Sequence, residues 1–305
     1  MTFKLTILGT SASLPAYGRH QSAQLLEVGK HTFLIDCGEG TQERLKANHI
    51  KAQKIDQIMI SHLHGDHYLG LVGLISSMNL LGRKKELTIH GPQGLDEIIT
   101  IQLRYSRTQL NYPISFRQVP QIDFGLILEN DHLTVHSFPL DHRIPCTGFV
   151  WKEKPKPKRI NKNTLPDDLS LVNIVKLKNG EDIYGEEGKI LYKNEELTLP
   201  ARASRSYAYC SDTKYKESII AHIKNVDLLY HESTFLNEMS ERADTTFHST
   251  AVQAAHIASL AKVDQLLLGH FSARYKELTP FLDEAKAIFK NTQLATEDSS
   301  IEISE

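Results

Sequence analysis

Three observations predict an α/β fold, of the mixed α+β kind, for this chain. Short apolar runs that read as strands alternate with helical stretches through the first hundred residues, and the alternation resumes from Ser206 to the end. Ionisable side chains recur where those runs stop, at Asp36, His62, His142, Asp212, His231 and His270, and in α/β proteins that edge of a sheet is where sites are built. With 305 residues, 40% of them hydrophobic, the chain can bury a sizeable core as one large domain or two small ones.

Composition narrows the function classes. The formal net charge is −2, so bulk attraction to nucleic acid is not implied, and an anionic partner has to be met by a local patch. Cys37, Cys146 and Cys210 stand far apart with no C-x-x-C pair, which fits a reducing compartment and argues against a disulfide framework or a zinc finger. No apolar run reaches the length of a membrane span, and the start reads as a strand, not a signal peptide. A cytoplasmic location is the expectation.

Taken in order, Lys4 to Leu8, Ala23 to Val28 and His31 to Asp36 read as strands, and the break at Asp36 to Thr41 opens a helix to about His49. Ile55 to Ile60 is a short buried strand. Tyr68 to Leu81 is an apolar helical stretch with two glycines, which close packing against a sheet explains. Leu87 to His90 is a strand, with His90 read as a strand-end residue and not a ligand; Gly94 to about Arg107 is helical. Leu133 to Leu140 and Thr147 to Trp151 are strands.

The character then changes. Lys152 to Lys162 holds six Lys or Arg against one Glu, with prolines at 155 and 157. Polar sequence continues to about Ser204, and within it Val175 to Ile183 resembles a hairpin with Asn179-Gly180 as its turn. Residues 152–204 read as an arm inserted into a body that otherwise spans 1–305, since fifty residues are long for a loop. Beyond it, strands are predicted at Ser206 to Cys210, Val226 to Tyr230, Gln265 to Leu268, Gln293 to Thr296 and Ser300 to Ser304. Helices are predicted at Tyr215 to Lys224, at Pro280 to Lys290, and after His248-Ser249-Thr250 to Ala261.

The chemistry concentrates in Ser61-His62-Leu63-His64-Gly65-Asp66-His67. Three imidazoles and a carboxylate lie within six positions at a strand end, with Gly65 expected to let the turn fold tightly. The spacing suggests two metal sites, His62 and His64 on one, Asp66 and His67 on the other. Imidazole plus carboxylate favours zinc, with manganese or iron as alternatives. Each metal wants about four or five ligands, and His142, Asp212 and His270 are the natural remainder, with Asp212 placed to bridge.

The sequence resembles the metallo-β-lactamase superfamily and, within it, the ribonuclease Z family, the short-form tRNA 3′-processing endonucleases. The resemblance covers nearly the whole chain. It is carried by Leu8-Gly9-Thr10, Asp36-Cys37-Gly38-Glu39-Gly40-Thr41-Gln42, the Ser61–His67 motif, Asp141-His142, Ser211-Asp212-Thr213, His231-Glu232-Ser233-Thr234, His248-Ser249-Thr250, Gly269 to Tyr275 and Ala295-Thr296-Glu297-Asp298. It implies an αββα sandwich with two zinc ions per subunit. His62, His64 and His142 would hold one, Asp66, His67 and His270 the other, and Asp212 both. It further implies that His248 is held by Glu232 and faces the leaving group, and that the arm grips precursor tRNA in a homodimer, one subunit's arm serving the other's site.

The chemistry expected of such a site is hydrolysis of a phosphodiester by metal hydroxide, leaving a 3′-OH on the tRNA and a 5′-phosphate on the trailer. Asp66 orients the attacking water or takes its proton, and His248 protonates the ribose 3′-oxygen. Lys154, Lys156, Lys158, Arg159 and Lys162 in the basic run, with Arg274, are the expected RNA contacts. Two rivals stand beside this reading: a small-molecule phosphodiesterase on the same scaffold, and an RNA-binding protein whose active site has lapsed.

Overall fold

The computed structural model describes residues 2–166, 168–185 and 188–304. Among them two seven-stranded sheets face each other. The first runs, in spatial order, Ser300–Glu302, Phe3–Gly9, Ala23–Val28, His31–Ile35, Gln57–Met59, Leu87–Gly91 and Ile114–Gln118. The second runs Thr292–Leu294, Gln265–Gly269, Leu228–Glu232, Ser206–Cys210, Cys146–Glu153, Leu133–Leu140 and Gly125–Glu129.

Three apolar clusters give four layers. Between the sheets lie Phe3, Leu5, Phe33 and Ile35 of the first against Phe149, Trp151, Tyr207, Leu228 and Leu267 of the second. Helices Thr41–Ala47, Leu71–Leu80 and Leu95–Tyr105 cover the outer face of the first sheet. Ala251–Ala261 and Thr279–Lys286 cover the second. This is the αββα arrangement, and cover on both faces explains why central strands such as Leu228–Glu232 are buried at every position without alternation. Helix Ala251–Ala261 begins at a Thr250 cap that forms a full capping box with Gln253, which fixes the chain just beyond His248.

The strands Ser206–Cys210, Leu228–Glu232 and Gln265–Gly269 pair in parallel, and Leu133–Leu140 points the same way because two antiparallel pairings separate it from Ser206–Cys210. Their C-terminal ends therefore open on one edge. Asp212, Glu232, His270 and His142 stand at those ends for that reason.

Several expectations need correction. Val175 to Ile183 is not a hairpin: Leu171–Lys178 is a helix with Ser170 as its N-cap. Asn179-Gly180 closes it, Gly180 taking φ +91°, with Gly180 N–H on Leu177 O and Glu181 N–H on Lys176 O, the αL end that glycine permits. Gly65 opens the helical turn Gly65–Tyr68, which carries Asp66 and His67. Gly70 packs against the Cys37–Gly38 loop, where a Cβ would lie 2.2 Å from Gly38 O, and not against a sheet. The predicted helix over Tyr215 to Lys224 is only a 3₁₀ turn and one α turn, Glu217–Ile219 and Ile220–Ile223. The strands Ile114–Gln118 and Gly125–Glu129, unpredicted, are sheet edges with weak apolar patterning.

Within 152–204 the described residues form a small unit. Leu177, Ile183 and Leu197 are buried together, with Ile160, Leu165, Leu169 and Tyr192 packed on them. Two short ribbons, Arg159–Ile160 with Thr198–Leu199 and Ile183–Tyr184 with Ile190–Tyr192, complete it. The strand Cys146–Glu153 reaches two residues into the basic run, because Glu153 is buried in an ion pair with Arg205, 2.7 Å from its Nη2.

Candidate metal centre and active site

Two sets of donor atoms converge at the open edge. In the first, His62 Nε2 and His142 Nε2 stand 3.1 and 3.0 Å from His64 Nδ1, and 3.6 and 3.7 Å from Asp212 Oδ2. In the second, His67 Nε2 and His270 Nε2 stand 3.5 and 3.6 Å from Asp66 Oδ2, and 3.4 and 3.2 Å from Asp212 Oδ1. Ligands about 2.0–2.1 Å from a tetrahedral centre stand roughly 3.3–3.4 Å apart, so both sets have the spacing of a tetrahedral cation site. Asp212 turns one oxygen to each.

Hydrogen bonding leaves the converging atoms as bare acceptors. His67 Nδ1 is 2.7 Å from Asp36 Oδ2, His142 Nδ1 2.8 Å from Phe247 O, His270 Nδ1 3.0 Å from Thr234 Oγ1 and His62 Nδ1 3.0 Å from Ser61 Oγ. Each contact puts the imidazole proton on the outer nitrogen and the lone pair on Nε2. His67 Nε2, His270 Nε2 and Asp212 Oδ1 are buried with no hydrogen-bond partner. A buried acceptor left so costs about 1–3 kcal/mol, and a cation at the common point removes the cost for all three. The residues therefore fit divalent metal.

The electrostatics agree. Burial, and then His67, hold His62 well below its ordinary pKa, and burial lowers His64 and His142 as well, which keeps the first set neutral. Burial would lower His67 too, but Asp212, Asp66 and Asp36 drive it well above its ordinary value. Against burial, His67 and His270 hold Asp66 and Asp212 well below the carboxylate range. Three carboxylates around one buried imidazole are an excess of negative charge that a cation balances.

Beside the two sets, His248 Nδ1 lies 2.9 Å from Glu232 Oε1 and 4.0 Å from Asp212 Oδ2. Burial disfavours its charge, but Glu232, Asp212 and Asp66 together outweigh burial and raise His248 to about 9, which favours the imidazolium at neutral pH. Glu232 is wholly buried and also accepts from the backbone N–H groups of Thr213, Thr234 and Ser249. His248 sits two residues before the helix cap and takes no part in capping.

His231 falls in the core of its strand, Nδ1 on the Glu232 carbonyl, away from both donor sets; His90 bonds Gln57 Oε1 at 2.8 Å and is no ligand either. The expected RNA contacts are divided. Lys154 pairs with Glu129 at 2.6 Å, Lys156 with Glu153 at 2.8 Å, and Lys158 bonds Asn194 Oδ1 at 2.6 Å. Arg159 gives its Nε–H to Pro200 O, while Lys162 and Arg274 are exposed.

Several residues that position the site carried no role in the sequence reading, although Asp36 and Thr234 lie in its quoted motifs. Asp36, in a left-handed conformation at φ 54°, accepts from Ser61 N, Ser61 Oγ, His67 Nδ1 and, across the sandwich, Tyr209 Oη at 2.6 Å. Its strand-end place was visible in the sequence, but Tyr209 sits in an apolar run without a signal. Thr234, Ser13, whose N–H meets Asp66 Oδ2 at 2.8 Å, and the Phe247 carbonyl complete the group.

A metallo-β-lactamase-type αββα sandwich, with clustered His and Asp side chains able to hold divalent metal at its edge, is the class that this fold and site define. The comparisons with known proteins carry this further. The chain is 52% identical over 305 residues to ribonuclease Z of Cytophaga hutchinsonii, covering 100% of this chain and 97% of that one. It is 42% identical over 302 residues to ribonuclease Z of Bacteroides fragilis, with 99% of each covered. It belongs to the ribonuclease Z family. Among solved structures, human tRNase Z, short form (ELAC1), superposes with a TM-score of 0.72 at 26% identity over 99% of this chain and 100% of that one. The metallo-beta-lactamase fold protein YhfI of Bacillus subtilis shares the fold with a TM-score of 0.69 at 19% identity, over 99% and 100% of the two chains. The family model described as Anti-Pycsar protein Apyc1 matches residues 3–111.

Proposed function

We propose that this protein is a metal-dependent endoribonuclease that removes the 3′ trailer from precursor tRNA, and that it does so with two zinc ions per subunit. The observation that carries the reading is Asp212, with one oxygen in each of two donor sets and His248 4.0 Å from it. His62, His64, His142 and Asp212 would hold one ion, and Asp66, His67, His270 and Asp212 the other. Nitrogen-rich tetrahedral spacing favours zinc. Bound there, two divalent ions supply Lewis-acid polarisation of the phosphate and a water made nucleophilic near neutral pH.

The chain's own groups do the rest. Asp66 turns Oδ2 to the second donor set, so its other oxygen orients the attacking water and accepts its proton. His248 spends Nδ1–H on Glu232, so Nε2–H is the proton it delivers to the departing ribose 3′-oxygen. The fixed Glu232 keeps that imidazole charged and aimed. The products are a 3′-OH and a 5′-phosphate.

Residues 152–204 serve this reading as the RNA-binding arm, with the exposed Lys162 and Arg274, and Arg159 through its outer guanidinium nitrogens, meeting phosphates first. Lys154, Lys156 and Lys158 act there after giving up internal partners. A homodimer fits the exposed Leu69, Leu80 and Leu81 at the ends of helix Leu71–Leu80. A cytoplasmic location accords with a helix set in which none, among the described residues, is long and apolar enough to cross a membrane.

End-mapping of the products from a precursor tRNA with a 3′ trailer, with and without chelator, tests the proposal. Chelator-sensitive 3′-OH and 5′-phosphate ends are expected; a 2′,3′-cyclic phosphate would sink the mechanism. A small-molecule phosphodiesterase is the second reading, favoured by the commitment of Lys154, Lys156 and Lys158 to internal partners. Turnover on precursor tRNA against bis(p-nitrophenyl) phosphate separates the two.

A further inference from the structure

The acid that holds His248 and the second donor set touch through one hydroxyl. Glu232 accepts at Oε2 from both the backbone N–H and the hydroxyl of Thr234, at 2.9 and 2.8 Å. Thr234 Oγ1 also lies 3.0 Å from His270 Nδ1 and 3.3 Å from His248 Nδ1. A hydroxyl has one proton to give, and a carboxylate only accepts. The Thr234 proton is therefore spent on Glu232, and its lone pair is what receives His270 Nδ1–H. That leaves His270 Nε2 without a proton, pointing at the second donor set, where it is buried and unpartnered. Glu232 Oε1 meanwhile takes His248 Nδ1 at 2.9 Å.

We infer that Thr234 is a positioning residue shared by the two halves of the site: its hydroxyl fixes the tautomer and aim of the metal-facing His270 while fixing the rotamer of the Glu232 carboxylate that aims His248. The inference rests on the dinuclear reading above. Metal affinity and proton delivery are tied through one side chain, so filling the second set and orienting the leaving-group acid are one event rather than two. On the opposite side of the cluster Asp36 holds His67 directly, with no hydroxyl between them. Thr234 is the point at which an outer contact of a ligand also serves the acid.

The test is a zinc titration of the full-length protein against a competing chelator, with steady-state kinetics on precursor tRNA at saturating zinc. Thr234→Val keeps the shape and removes the hydroxyl; Thr234→Ser keeps the hydroxyl. Thr234→Val is expected to weaken the second zinc by roughly ten- to a hundredfold, the usual effect of losing an outer-sphere partner, with the first zinc unchanged. It should lower kcat at saturating zinc without raising KM, and Thr234→Ser should restore both quantities. Glu232→Gln, which perturbs the same chain from its other end, should weaken the second zinc in the same direction, whereas His248→Ala should leave zinc binding alone. Wild-type affinity for both zinc ions in Thr234→Val and Glu232→Gln would overturn the inference even if kcat fell. Wild-type protein that takes up fewer than two zinc ions would overturn the dinuclear reading itself.

Discussion

At the sheet edge, Glu232 and Asp36 are wholly buried carboxylates, each holding one histidine and backbone N–H from segments far apart in sequence. In the inserted unit, Leu177, Ile183 and Leu197 are the buried apolar side chains of its cluster among the described residues, and lysines are tied by contacts at its root. The site is densely bonded: Glu232 takes His248 and the backbone N–H groups of Thr213, Thr234 and Ser249, and Asp36 takes Ser61, His67 and Tyr209. The arm has a small core and little redundancy, so its shape depends on few side chains. On the proposed function, chemistry is lodged in the densely bonded edge and substrate choice in the sparsely packed unit.

Changes that break this division most directly have the largest effect. Asp212→Ala removes an oxygen from both donor sets. Metal content should fall, and activity should drop on precursor tRNA and on bis(p-nitrophenyl) phosphate alike, by more than the roughly hundredfold typical of losing an outer-sphere partner. Retention of both metals in this variant would contradict the shared placement of Asp212.

His248→Ala should lower kcat on precursor tRNA by roughly 10²- to 10⁴-fold with metal content intact. Because the group acts as its protonated form and is raised to about 9, wild-type kcat should decline as pH climbs through about 9. Loss of that alkaline limb in His248→Ala is the check.

Replacing residues 155–200 by a short flexible linker should raise KM for precursor tRNA at least about tenfold and weaken its salt dependence, while sparing the small phosphodiester. Equal loss on both substrates would mean that the arm supports the body. Within the arm, Lys162→Ala should reduce the salt slope by about one, whereas Lys158→Ala, which loses Asn194, should raise protease sensitivity of the arm.

The smallest expected effect is at the arm's root. Burial opposes ionisation of Glu153, but Arg205 and Lys156 hold it at about 2, below its ordinary 4.5. Its contribution to stability is complete above about 4.5 and disappears as pH falls through about 2. Glu153→Gln should cost about 1.5–3 kcal/mol at pH 7, and the gap in Tm from wild type should close in acid.

Much of the site was legible because its residues end strands. His62, His64, Asp66 and His67 are contiguous, and Asp212 and His270 each follow an apolar run. Less legible was whatever depends on contacts across the sandwich: Tyr209 on Asp36, Phe247 carbonyl on His142, Thr234 between His270 and Glu232. The hairpin expected at Asn179-Gly180 failed because the same dipeptide ends a helix as readily as it turns a strand, and only the preceding Leu171–Lys178 packing selects between them.

By itself the sequence determined the fold class, through periodicity, and the dense His62–His67 cluster, through a compact motif, while the sharing of His142, Asp212 and His270 between two donor sets came from the family resemblance. Tertiary structure decided which nitrogen of each histidine faces the cluster, that three carboxylates surround the one buried imidazole of His67, and which lysines are already engaged. Those depend on hydrogen-bond partners tens to hundreds of residues away, brought together only when the two sheets close, and no local spacing encodes them.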